Sequence, residues 1–172
     1  MEVVVIVLIA LVVSTLVFRL LGALGVRRFD TWAVAAAHGM AVMLVLTASA
    51  HFVPDSVTVM PSHGDMVAIV PPFVPFPSLM VYLTGVFELL GALGLVIRST
   101  RWAAGLALAL LFVGLLPANI YAVVADVPLG DQAATPLWQR IPEQVLYIAV
   151  VLRAAATAPR PQWAQRPLLR RA

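Results

Sequence analysis

Five long apolar runs separated by short polar breaks dominate the chain. They cover about residues 3–24, 31–53, 78–97, 102–125 and 137–156. Each approaches or exceeds the roughly 20 residues that an α-helix needs to cross about 30 Å of hydrocarbon. The pattern predicts an all-α fold, a polytopic membrane helical bundle. Residues 1–157 are read as a single membrane domain and residues 158–172, rich in proline and arginine, as a basic tail. The first run is read as a spanning helix and not as a signal peptide, because Glu2 stands where a basic segment belongs and the apolar run is too long.

Composition agrees with this pattern. Hydrophobic residues make up 62% of the chain and charged residues 11%, whereas soluble domains carry about 25% charge. Mean hydropathy is +1.00. A surface this apolar belongs in lipid. The net charge of +3 comes from eleven basic residues, all arginine. They cluster at the ends of apolar runs, which is the mark of membrane orientation and not of nucleic-acid binding. Cysteine is absent, so disulfides, thiolate metal sites and dithiol exchange are excluded.

Arginine placement predicts the orientation. Arg27 and Arg28 follow the first run, Arg98 and Arg101 follow the third, and Arg153, Arg160, Arg166, Arg170 and Arg171 surround the end of the fifth. The two intervening loops hold Asp55 and Asp65, and Asp126 and Asp131, without arginine. By the positive-inside rule the N-terminus lies outside and the C-terminus in the cytoplasm. The outer loop includes "HGDMVAIVPPFVPFP", residues 63–77, too apolar for a solvated loop and too rich in proline to span. Two readings stay open for it: an interfacial connector, or a lid over a pocket between helices.

Ionisable groups inside a bilayer are costly, so each is a functional candidate. Glu88 lies ten residues into the third apolar run, near the midplane. Arg140, Glu143, Gln144 and Tyr147 share one helical face of the fifth. Arg140 lies at the outer end, against the orientation rule. Asn119 follows Pro117 in the outer third of the fourth run, and His51 ends the second with Thr47 one turn below. The expectation is a pocket in the outer half of the membrane, lined by His51, Glu88, Asn119, Arg140, Glu143, Gln144 and Tyr147. The alternative is that these groups only fasten helices together.

Metal and haem chemistry have weaker grounds. His38 and His51 point about 140° apart on one helix and cannot share an ion there. His63, Asp65 and Asp55 match no familiar metal spacing, and no metal site is expected. Neither a phosphate loop nor a dinucleotide fingerprint is present.

The series "SAHFVPD", "MVAIVPPFVPFPSLMVYLTGVFELLGALGLVI", "ALLFVGLLPANIYAVV" and "LWQRIPEQVLYIAVVLR" resembles the DoxX family of small bacterial membrane proteins over about residues 31–153. The resemblance implies a four-helix core, to which the first helix is an N-terminal addition, and a place in the bacterial inner membrane. It also implies a link to redox chemistry and oxidative stress, with His51, Glu88, Asn119 and Arg140 as characteristic residues. The functional expectation is a quinone- or lipid-binding subunit associated with a redox complex, with membrane lipid and a redox enzyme subunit as partners. The alternatives are a cofactor-free, isomerase-like membrane enzyme acting on a hydrophobic substrate, and a non-catalytic scaffold.

Overall fold

The structure is a computed structural model that describes residues 2–57, 59–130 and 132–159. It is all-helical, with no strand among the described residues. Five long helices form the body: α1 (Glu2–Ala23), α2 (Trp32–Ser49), α4 (Pro77–Val96), α5 (Arg101–Val124) and α6 (Leu137–Ala156). A short helix, α3 (His63–Ala68), lies between α2 and α4, and a 3-10 turn at Arg27–Phe29 joins α1 to α2.

Four helices, α1, α2, α4 and α5, are long and apolar enough to cross a membrane. α6 has comparable length, 20 residues, but carries Arg140, Glu143 and Arg153 within it. Glu143, Gln144 and Tyr147 are buried within the bundle, so the polar stripe looks inward, as lipid would require.

The helix ends follow local chemistry. The Thr31 hydroxyl accepts from the Val34 N–H and starts α2. Ser62 and Asp65 form a reciprocal capping box that starts α3. Pro77 opens α4, where its missing N–H costs nothing. α2 ends at Ser49, four residues before the apolar run does. His51 therefore sits beyond the helix, in a turn held by its N–H to the Ala48 carbonyl.

α2 is the central helix and touches α1, α4 and α6. More than half of its spanning window is buried, 56%, against 11% for α1. α1 thus packs on α2 along one narrow stripe, including Val7 and Leu11, and turns Ile9, Val13, Leu16 and Leu20 outward. The core is built on Met40, Met43, Leu44, Leu95, Leu108 and Val151, all essentially inaccessible. Close approach needs small residues. A Cβ on Gly105 would lie 2.5 Å from the Val151 carbonyl oxygen, so only glycine lets α5 meet α6 there.

The apolar proline segment shows its side chains outward. Phe73 and Phe76 are largely exposed, as aromatic anchors at a membrane interface are, which favours the connector over the lid. α3, at the head of this segment, is held down by His63. Its Nδ1 donates to the His51 carbonyl at 2.8 Å, its Nε2 lies 2.9 Å from Ser78 Oγ, and its ring stacks on Tyr82. The tail expected over residues 158–172 lies almost wholly outside the described residues, as does Asp131.

Candidate functional site

The seven residues expected to line a pocket fall into two connected hydrogen-bonded groups and one separate tie. The first group joins α2 to α4. Glu88 is buried on α4 and accepts from the Thr47 hydroxyl at 3.1 Å. His51 Nε2 lies 3.9 Å from the other oxygen of Glu88. His51 Nδ1 is 2.8 Å from the Val81 carbonyl. A carbonyl only accepts, so Nδ1 carries the hydrogen and Nε2 is the atom turned to Glu88. The Thr84 hydroxyl donates to the same carbonyl at 2.9 Å and fixes the ring from the side.

Gly85 explains why the histidine fits. A Cβ built there would lie 2.6 Å from His51 Cβ. Any side chain at this position would push the imidazole away from α4.

The second group joins α5 to α6. Arg140 donates through Nε to Asn119 Oδ1 at 3.1 Å and through a terminal nitrogen to Glu143 Oε2 at 2.8 Å. The Tyr147 hydroxyl donates to Glu143 Oε1 at 2.5 Å. Asn119 passes its amide hydrogen back to the Leu115 carbonyl at 3.0 Å. The spacing of three and four residues on α6 brings arginine, glutamate and tyrosine into one line. Gln144 takes a different role and donates to the Phe112 carbonyl on α5 at 2.6 Å.

The arrangement is a bonded network. None of the seven residues lines either of two cavities, of about 1050 and 400 Å³, elsewhere in the molecule. Arg140 and Asn119 are its half-buried members. The Arg140 side chain keeps 29% of its surface exposed, whereas its partner Glu143 keeps 2%.

A family model for a domain of unknown function, DUF8561, matches residues 40–155, more than half of the chain. The chain belongs to the DUF8561 family. This overturns the resemblance to DoxX, and the redox association that came with it has no remaining support. The short motifs behind it, His-Phe after a helix, a Pro-Pro segment and Pro-Ala-Asn, answer to constraints that any small helical membrane protein meets: a helix stop, an interfacial connector and a helix with a polar tie. No curated protein and no solved structure matches the DUF8561 chain.

Several contributors to the network were not singled out by sequence. Thr84 and Ser78 look like ordinary helix residues until His51 and His63 are seen beside them. Arg19, a cation within the first apolar run, was also missed. It lies on α1 with its guanidinium 5.6 Å from the Trp32 ring centroid. His38 donates to the Val34 carbonyl at 2.8 Å and packs its ring against Phe18 and Phe29. No group of three His, Asp or Glu side chains among the described residues could hold a metal ion.

Proposed function

We propose that this chain is a membrane protein of five spanning helices, α6 being the fifth, with the N-terminus outside and the C-terminus in the cytoplasm. It binds a hydrophobic ligand with an oxygen-bearing head, of the quinone or lipid class, at the outer ends of α5 and α6. One observation carries this reading. Arg140 is the partly exposed end of a polar chain, bonded to half-buried Asn119 and to Glu143, while Glu143 and Tyr147 behind it are buried. A head group reaching Arg140 from the lipid side meets a donor already oriented by two partners. Behind it, Glu143 with Tyr147 and Glu88 with His51 can shift a proton over short distances in response.

A second reading has its own support. Every one of the seven side chains has a protein partner, and none of them lines either cavity. The network would then serve only to fix helices in register.

The two readings separate in one experiment. The protein is purified in mild detergent, and lipophilic molecules released from it are identified by mass spectrometry. An Arg140→Ala, Glu88→Gln variant, shown to be folded by its circular dichroism, is treated in parallel. One defined quinone or lipid on the wild type, lost from the variant, is the expected result. An identical set of molecules from both proteins leaves only the fastening role.

A further inference from the structure

The other end of the bundle carries a different site. The cavity of about 1050 Å³ collects Arg27 and Arg28 from the α1–α2 turn, Arg98 and Arg101 from the α4–α5 turn and Arg153 from the end of α6. These residues are far apart in sequence and come together only because two connections and the end of α6 meet at one end of the bundle. One carboxylate, Asp30, lies among the lining residues. Among the described residues, none of the five arginines takes part in an ion pair, since both ion pairs found lie in the network of His51, Glu88, Arg140 and Glu143.

What the arginines do find is backbone. Arg101 is 5% exposed and donates to the Leu95 carbonyl at 2.6 Å and the Val96 carbonyl at 3.2 Å. Arg28 donates to the same Val96 carbonyl at 2.9 Å. These carbonyls close the C-terminal end of α4, where the helix dipole favours a cation. Such bonds satisfy N–H groups and hold the guanidinium planes in place, but they remove no charge. The cavity therefore holds a cluster of oriented, uncompensated cations.

The remaining wall is apolar, made by Val34, Val96 and Val150 from three different helices. Trp32 stands at the rim and is 60% exposed. An apolar wall beneath a ring of guanidinium groups, beside an interfacial tryptophan, is complementary to a molecule with a phosphate head and a hydrocarbon body.

We propose that this cavity binds the phosphodiester head of an anionic phospholipid, with an acyl chain against its valine wall. Guanidinium groups match phosphate oxygens in bidentate fashion. A free phosphate ion shares that chemistry but makes no use of the apolar wall, so the lipid is the committed source. The arginine end need only lie at the edge of the bilayer, on either side, and the cavity shares no residue with the His51 and Arg140 network.

The test uses the full chain in mild detergent, with native mass spectrometry as readout. Phosphatidylglycerol and phosphatidylcholine of equal chain length are titrated separately, and inorganic phosphate is added as a competitor. The informative variant is Arg27→Gln, Arg98→Gln, Arg153→Gln, since these three arginines make no ion pair and leave the Arg28 and Arg101 bonds to α4 intact. The wild type should prefer phosphatidylglycerol by about tenfold or more, and the triple variant should fall to within about twofold of no preference. Millimolar phosphate should not displace the lipid. Equal binding of the two lipids, or an undiminished preference in the folded triple variant, overturns the proposal. Displacement by phosphate assigns the cavity to a soluble anion instead.

Discussion

Arg140→Ala should cost far more alone than beside Glu143→Gln. Arg140 gives Glu143 a bond of 2.8 Å, and the Glu143 side chain is 2% exposed. Without Arg140 that carboxylate keeps only the Tyr147 hydroxyl. Removing one partner of a buried pair costs about 3–5 kcal/mol. The guanidinium is 29% exposed, so its attraction is partly screened and about 3 kcal/mol is expected. Glu143→Gln keeps an oxygen for Tyr147, while Arg140 keeps Asn119, so this change costs about 1 kcal/mol. The double variant has no stranded carboxylate and should lose about 2 kcal/mol, against about 4 for the sum of the singles, a coupling of about 2 kcal/mol. Unfolding in mixed micelles of a mild detergent and dodecyl sulfate, followed by both circular dichroism and tryptophan fluorescence, measures all four proteins. Additivity within about 0.5 kcal/mol would refute the idea that the pair is an energetic unit.

Two further outcomes test particular contacts. Gly85→Ala forces its Cβ to within 2.6 Å of His51 Cβ and should cost about 1–3 kcal/mol through overpacking, whereas Gly114→Ala, with nothing within 4 Å of its Cβ, should be neutral or stabilising by up to about 1 kcal/mol; equal effects in the same unfolding assay would sink the packing argument. Outside the spanning helices, the Gly64 N–H donated to the Asp55 carboxyl helps hold it below its ordinary value of 3.8. Because the folded value is depressed, the loop's stabilisation is complete above 3.8 and disappears as pH falls through the lower folded value. The Gly64 amide, bonded to Asp55 at 2.9 Å, should report that step in its chemical shift, and a step above 3.8 would contradict it.

How much of this was legible in the sequence depends on the range of the interaction that decides each feature. The fifth apolar run and α6 share the bounds 137–156, because its polar stripe and apolar faces repeat with the helical period. The end of α2 was misjudged. "AHFVP" is apolar enough to continue the helix, and only the Val81 and Glu88 contacts across the bundle draw His51 into a turn. α3 was readable in principle, since Ser62 and Asp65 have the spacing of a capping box, but the prolines after it dominated the reading. The seven site residues agreed in depth, and the structure links them on two pairs of helices. Their sequence positions carried no sign of which of them would bond to one another. The arginines were read for orientation alone. Their convergence into one cavity depends on how two connections and the end of α6 come together, which no local pattern encodes.

The two ends of the bundle handle charge in opposite ways, and α2 reaches both. At the His51 end two carboxylates face one arginine and one histidine, so acidic and basic groups are matched within the chain. Such a network is stable without a ligand and gains from one only at Arg140. At the Val34 end five arginines face one aspartate, and their backbone bonds satisfy hydrogen-bonding capacity without cancelling charge. Like charges gathered in one cavity attract a counter-ion, and we propose that an anion from outside the chain completes that end. Binding to the folded state alone stabilises it in proportion to the logarithm of ligand saturation. The stability of this protein should therefore follow the anionic lipid around it, through arginines gathered from turns and helix ends, more closely than it follows any ligand at the His51 end.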